Sequence, residues 1–87
     1  MTYRVRLTRP VQKALDALTG NLYRRVIECM RALADNPRPP SARKLSGMED
    51  HWRVRVGDWR IVYTVRDREL IVLVLKIGHR REIYRTL

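Results

Sequence analysis

Trp52-Arg53-Val54-Arg55-Val56-Gly57-Asp58-Trp59-Arg60-Ile61-Val62-Tyr63-Thr64-Val65 is the stretch on which the fold turns. The residues before Gly57 alternate apolar and basic. Those after it answer with the same period of two, the pattern of strands with one buried face. Gly57-Asp58 suits a two-residue hairpin loop, most simply of type II′ because glycine stands first. Such a loop pairs Val56 with Trp59, Arg55 with Arg60, Val54 with Ile61 and Arg53 with Val62. Trp52, Val54, Val56, Trp59, Ile61, Tyr63 and Val65 then share the core face. Arg53, Arg55 and Arg60 stand together on the other. Opposed like charges destabilise a ladder by an amount comparable with the roughly 0.2–1 kcal/mol of a favourable pair. Selection for stability alone would place a glutamate at one of the three positions. An external anion that completes the site accounts for their absence; plain solvation of an outer sheet face is the alternative.

Downstream, Asp67-Arg68 reads as a second tight turn. Leu70–Leu75 is apolar on both faces and reads as a central strand covered on both sides. Ile71, Leu73 and Leu75 are expected on the arginine face, with the tail as its simplest cover. Gly78 interrupts that strand and lets the chain leave the sheet. Upstream, Tyr3, Val5 and Leu7 alternate with Arg4 and Arg6 as a short strand. Pro10 opens a helix carrying Val11, Ala14, Leu15 and Leu18, ended by Thr19-Gly20-Asn21. Leu22, Val26, Cys29, Met30 and Leu33 stripe a second helix, closed by Asp35-Asn36-Pro37. Cys29 on that stripe reads as a small buried hydrophobe. Pro37-Arg38-Pro39-Pro40 is a stiff connector. The expected fold is α+β: an N-terminal strand, a helical hairpin packed on an antiparallel sheet of about four strands, and a short C-terminal tail.

The chain has 87 residues, 45% hydrophobic and 32% charged, which is a globular composition sized for one domain over residues 1–87. No run approaches the roughly 18 apolar residues of a membrane span. Met1-Thr2-Tyr3-Arg4-Val5-Arg6 shows no signal-peptide pattern, and the lone cysteine excludes an internal disulfide; a cytoplasmic location is expected. The net charge is +10, carried by 19 basic residues of which 16 are arginine. Arginine suits planar, bidentate contact with phosphate, so an anionic partner such as nucleic acid is expected.

The tail Gly78-His79-Arg80-Arg81-Glu82-Ile83-Tyr84-Arg85 adds a second basic cluster. Tyr84 within it is an aromatic beside a phosphate track, or else an amphipathic residue packed on the sheet. His79 is a candidate acid or base near neutral pH; His51 reads as incidental. No His/Cys/Asp/Glu set has metal spacing. There is no glycine-rich phosphate loop and no nucleophile elbow, and neither metal nor cofactor is expected.

Lys44-Leu45-Ser46-Gly47, Trp52-Arg53-Val54-Arg55, Trp59-Arg60-Ile61-Val62-Tyr63 and Ile77-Gly78-His79-Arg80-Arg81-Glu82-Ile83-Tyr84 together resemble the RelE-type toxins of bacterial and archaeal toxin–antitoxin systems. The resemblance spans essentially the whole chain. It implies a ribosome-dependent mRNA endonuclease that cuts in the decoding site without a metal. The ribose 2′-hydroxyl attacks its own 3′ phosphate and leaves a cyclic phosphate. It also implies a cognate antitoxin that covers the basic surface. Arg53, Arg55, Arg60, Arg80 and Tyr84 match the family's site positions; Arg43, Lys44, Arg81 and Arg85 are expected to contact RNA. Where RelE carries lysine, this chain has Arg53 and Arg55, and arginine does not act as a base. His79 and Tyr84 are then the titratable candidates. The spacing from Arg80 to Tyr84 is shorter than in RelE. A ParE-like DNA gyrase poison of the same fold and a non-catalytic RNA-binding module are the alternatives.

Overall fold

The alternation around Gly57 folds into the hairpin that it predicts. The computed structural model describes residues 2–47, 50–79 and 83. Along the chain come strand β1 (Arg4–Leu7), helices α1 (Arg9–Asp16) and α2 (Gly20–Asp35), then strands β2 (Arg43–Lys44), β3 (His51–Val56), β4 (Trp59–Arg66) and β5 (Ile71–His79). Val56 pairs with Trp59, Arg55 with Arg60, Val54 with Ile61 and Arg53 with Val62. Gly57 takes a φ of 60° while Asp58 stays at negative φ, the type II′ combination.

The sheet has the order β1-β5-β4-β3-β2, and it departs from expectation in two ways. It has a fifth strand, because Arg43 and Lys44 pair with Arg53 and Trp52 at one edge. It is also mixed: β1 lies parallel to β5 at the other edge, with Val5 beside Val72 and Leu7 beside Val74. A parallel pair needs a long crossover, and the helical hairpin together with the β2–β4 segment supplies it. Only beside β5 does β1 bring Val5 and Leu7 onto the core that Val72 and Val74 have already formed.

Helix α1 starts at Thr8, whose Oγ1 accepts a 3.4 Å hydrogen bond from the Val11 N–H, with Pro10 in the first turn. Val11 and Leu15 are its buried residues. Gly20 and Asn21, expected in the link, instead form the start of α2, whose stripe buries Val26, Met30 and Leu33. These residues meet Val54, Ile61, Tyr63, Val72 and Val74 of the sheet. Cys29 is half-buried against this core, where burial pushes its thiol pKa up. Among the described residues no helix is long and apolar enough to cross a membrane.

Two local expectations are corrected. The β4–β5 connection is a four-residue loop, Asp67 to Leu70, because Arg66 pairs with Ile71; Leu70 turns the chain at a φ of 55°. Gly78 does not interrupt β5, which continues to His79. A register shift sits in β5 instead: Val62 pairs with Lys76 but Tyr63 with Val74, leaving Leu75 as the extra residue. Ile71 and Leu73 face outward as expected, but Leu75 does not continue their row. Beyond the bulge the parity reverses, so Ile77 enters the core and Gly78 faces outward opposite Arg60.

Asp67 ties three distant segments together. It accepts from Nη2 and Nη1 of Arg38 at 2.8 and 3.1 Å, and from the Tyr3 hydroxyl at 2.8 Å. The Arg38 guanidinium also lies 5.6 Å from the Trp52 ring centroid. Beside it, the buried Tyr63 hydroxyl donates to the Pro37 carbonyl at 2.7 Å. The connector after α2 is thus pinned to both the sheet and the N-terminus. The hydrogen bonds from Arg38 and then Tyr3 pull the Asp67 carboxyl from 3.8 down to about 2. Folding therefore favours the carboxylate. Its stabilisation is complete above pH 3.8 and is lost as the pH falls towards about 2. Asp67→Asn is expected to lower Tm near neutral pH, modestly because the pair is exposed. The gap to the wild type should close in acid, as followed by circular dichroism melts across that window.

Candidate nucleic-acid interface

Strand parity divides the sheet into a face covered by the helices and an outer face. On β3 and β4 the outer positions are His51, Arg53, Arg55, Arg60, Val62, Thr64 and Arg66. Pairing extends the face to Arg43 of β2, to Ile71, Leu73, Lys76 and Gly78 of β5, and to Arg4 and Arg6 of β1. Eight of these strand positions are lysine or arginine and none is aspartate or glutamate.

Arg60 is the unusual member. It is only 9% exposed, and a cation is rarely that buried without a carboxylate. Its Nη1 donates to the carbonyls of Gly57 at 3.3 Å and Trp59 at 3.2 Å, which orients the guanidinium along the hairpin turn. Both partners are neutral carbonyls, and among the described residues no carboxylate pairs with it. Arg55, directly opposite, is exposed, and Arg53 is half-buried. Among the described residues the ion pairs join Arg38 to Asp67 and Arg66 to Glu69; none neutralises Arg53, Arg55 or Arg60.

The other expected site residues divide. Arg43 pairs with Arg53 across the β2–β3 ladder and lies on the same face, its Nη1 donating to the Pro40 and Ala42 carbonyls at 2.9 and 3.0 Å. Lys44 pairs with Trp52 and so has the opposite parity. His79 pairs with Trp59 on helix-side parity, and its ring meets the Trp59 indole edge to face at 6.4 Å and 85°. It is therefore not brought to the face of Arg55 and Arg60. Arg80, Arg81, Tyr84 and Arg85 lie outside the described residues. Ile83 is described: it is fully buried, its N–H donates to the His79 carbonyl at 3.0 Å, and it packs over Gly78. A β-carbon at Gly78 would stand 3.7 Å from that of Ile83. Ile83 thus packs on the sheet at the residue paired with Arg60, and the contact a β-carbon would make there is an ordinary one.

Arg4, Arg6, Arg66 and Lys76 were not singled out from the sequence. Arg4 and Arg6 were visible as the polar half of an alternating strand. Their face depends on a parallel pairing between residues almost seventy positions apart, and that of Lys76 on the bulge. Among the described residues no group of three or more His, Cys, Asp or Glu could hold a metal ion.

Two helices on this mixed sheet define a class of fold already seen in other proteins. A family model described as the ParE toxin of the type II toxin–antitoxin system parDE matches residues 5–84, so the chain belongs to the RelE/ParE family of type II toxins. It is similar to a putative RelE-like toxin of Escherichia coli, 32% identical over 92% of this chain and 85% of that one. It is also 31% identical to the toxin RelG of Mycobacterium tuberculosis over 98% and 99% of the two chains. Its fold matches the toxin-fold chain in the crystal structure of the archaeal RelE–RelB complex from Pyrococcus horikoshii with a TM-score of 0.82 and 36% identity, covering 94% of this chain and 99% of that one.

The opposed arginines yield a stability prediction. Arg55→Glu replaces a like-charge pair with an opposite-charge pair and should raise stability by roughly 0.5–2 kcal/mol, read as a higher urea midpoint at unchanged m-value. A site built for an external anion predicts that the same variant loses function.

Proposed function

We propose that this toxin is a ribosome-dependent mRNA endonuclease. The observation that carries the reading is the outer face: Arg53, Arg55 and Arg60 share it with no ion pair among the described residues, and one of them is nearly buried. Three guanidiniums held by a rigid hairpin suit one phosphodiester group. They orient the phosphate and neutralise the charge that develops on its oxygens as the neighbouring 2′-hydroxyl attacks phosphorus. The P–O bond to the 5′ oxygen of the next nucleotide then breaks, giving a 2′,3′-cyclic phosphate. Preorganised electrostatics of this kind is often the largest catalytic term, and it needs no base from an arginine. Arg80 adds a fourth cation in this reading. Tyr84 is the proton-transfer candidate, in preference to His79 with its ring against Trp59. Arg43, Lys44, Arg81 and Arg85 are assigned to RNA contact.

A ribosomal target implies action in the cytoplasm and a partner that restrains the free toxin. An apolar cleft of about 320 Å³, lined by Val5, Ile27, Met30, Arg31 and Ala34, runs between α2 and the edge strand β1. An antitoxin segment placed there would cover apolar surface and meet an unpaired strand edge. The ParE description of the family model favours a second reading, a DNA gyrase poison.

Mapping cut sites on a message in a purified translation system tests both. Cleavage that requires ribosomes is expected, with Arg60→Ala reducing it about 10²–10³-fold. Full toxicity of the Arg60→Ala, Arg80→Ala double variant, or DNA damage without loss of message, would overturn the ribonuclease reading.

A further inference from the structure

The outer face resolves into four rows that cross the strands. Nearest the β3–β4 turn, Arg55, Arg60 and Gly78 lie abreast; Arg43, Arg53, Val62 and Lys76 come next. The third row holds His51, Thr64, Leu73 and Arg6, and the fourth Arg66, Ile71 and Arg4. Rows two residues apart are separated by about 6.7 Å, so the fourth lies roughly 20 Å from the Arg55–Arg60 pair.

Rows three and four have their own character. Arg4, Arg6 and Arg66 are exposed, while Ile71 and Leu73 between them are half-buried. Among the described residues Arg4 and Arg6 have no hydrogen-bonded or ion-paired side-chain partner. Arg66 has only a loose 3.7 Å contact with Glu69. The β1 and β4 backbones stand about 9.5 Å apart across β5. This makes a shallow apolar floor with arginine on both sides, continuous with the rows that carry Arg53, Arg55 and Arg60. Guanidinium walls suit phosphates and an aliphatic floor suits riboses or bases. Among the described residues none of the strand positions in the four rows is a carboxylate, and Glu69 only loosely meets Arg66 at the far end, which favours a polyanion lying along the rows.

We propose that Arg4, Arg6 and Arg66, with Ile71 and Leu73 as floor, hold the message strand that flanks the cut phosphate. This segment positions the RNA and takes no part in bond breaking. The proposal rests on the reading of the hairpin face as an RNA surface, and it adds a second anchor that only an RNA long enough to span the rows can reach.

The test compares the full-length Arg4→Ala, Arg6→Ala variant with the Arg4→Lys, Arg6→Lys variant. Both sites are exposed, and Tm confirms folding. Each is titrated with short and long single-stranded RNA over a range of salt. Loss of two phosphate contacts should make the salt slope of the alanine variant shallower by about 1.4, at about 0.7 per phosphate. The wild type and lysine variant should gain affinity with RNA length, and the alanine variant should not. In message cleavage, its KM should rise by more than its kcat falls. An unchanged slope and length dependence overturns the proposal. So does a loss of affinity confined to a polyglutamate peptide, which would assign the strip to an acidic protein partner. If the wild type binds RNA with these slopes yet cuts no message, the strip stands and the ribonuclease reading falls.

Discussion

The left-handed backbone at Gly57 is the constraint on which the outer face depends. It lets two residues reverse the chain, and that loop length sets which residue of β3 opposes which residue of β4. A slip of one residue in either strand would turn that strand's arginines, Arg53 and Arg55 or Arg60, towards the helices. Burial resists the slip. Val54, Ile61 and Tyr63 are almost wholly removed from solvent, and each such side chain contributes about 1.5–3 kcal/mol. The opposed Arg55 and Arg60 cost no more than about 1 kcal/mol. The core therefore holds an electrostatically unfavourable face in place. That imbalance of magnitudes is what lets a small protein carry a concentrated cationic site.

Arg60 shows how the site is tuned. The turn that sets the register also supplies the two carbonyls that orient its guanidinium. Low exposure strengthens the field that it presents to an anion, because solvent screens it less. Ile83 packs over Gly78, the residue that pairs with Arg60.

The opposite face has a different task. Helices α1 and α2 seal the core, and Asp67 fastens the connector after α2 to Tyr3 and the β4–β5 loop. The fold is shared with a chain of the archaeal RelE–RelB complex at 36% identity.

Local alternation and turn chemistry were legible in the sequence. They yielded both helices, the hairpin register and the clustering of Arg53, Arg55 and Arg60, because each depends on residues close along the chain. The parallel pairing of β1 with β5, the short β2 strand beside Arg53 and the bulge at Leu75 were not legible. They depend on which distant surfaces pack together, and periodicity carries no record of that. The tertiary structure alone therefore decided that Arg4, Arg6 and Lys76 join the arginine face, that His79 turns from it towards Trp59, and that Gly78 stands opposite Arg60. The physical reason is that a strand fixes only the alternation of its side chains, while its neighbours decide which half of that alternation meets the core.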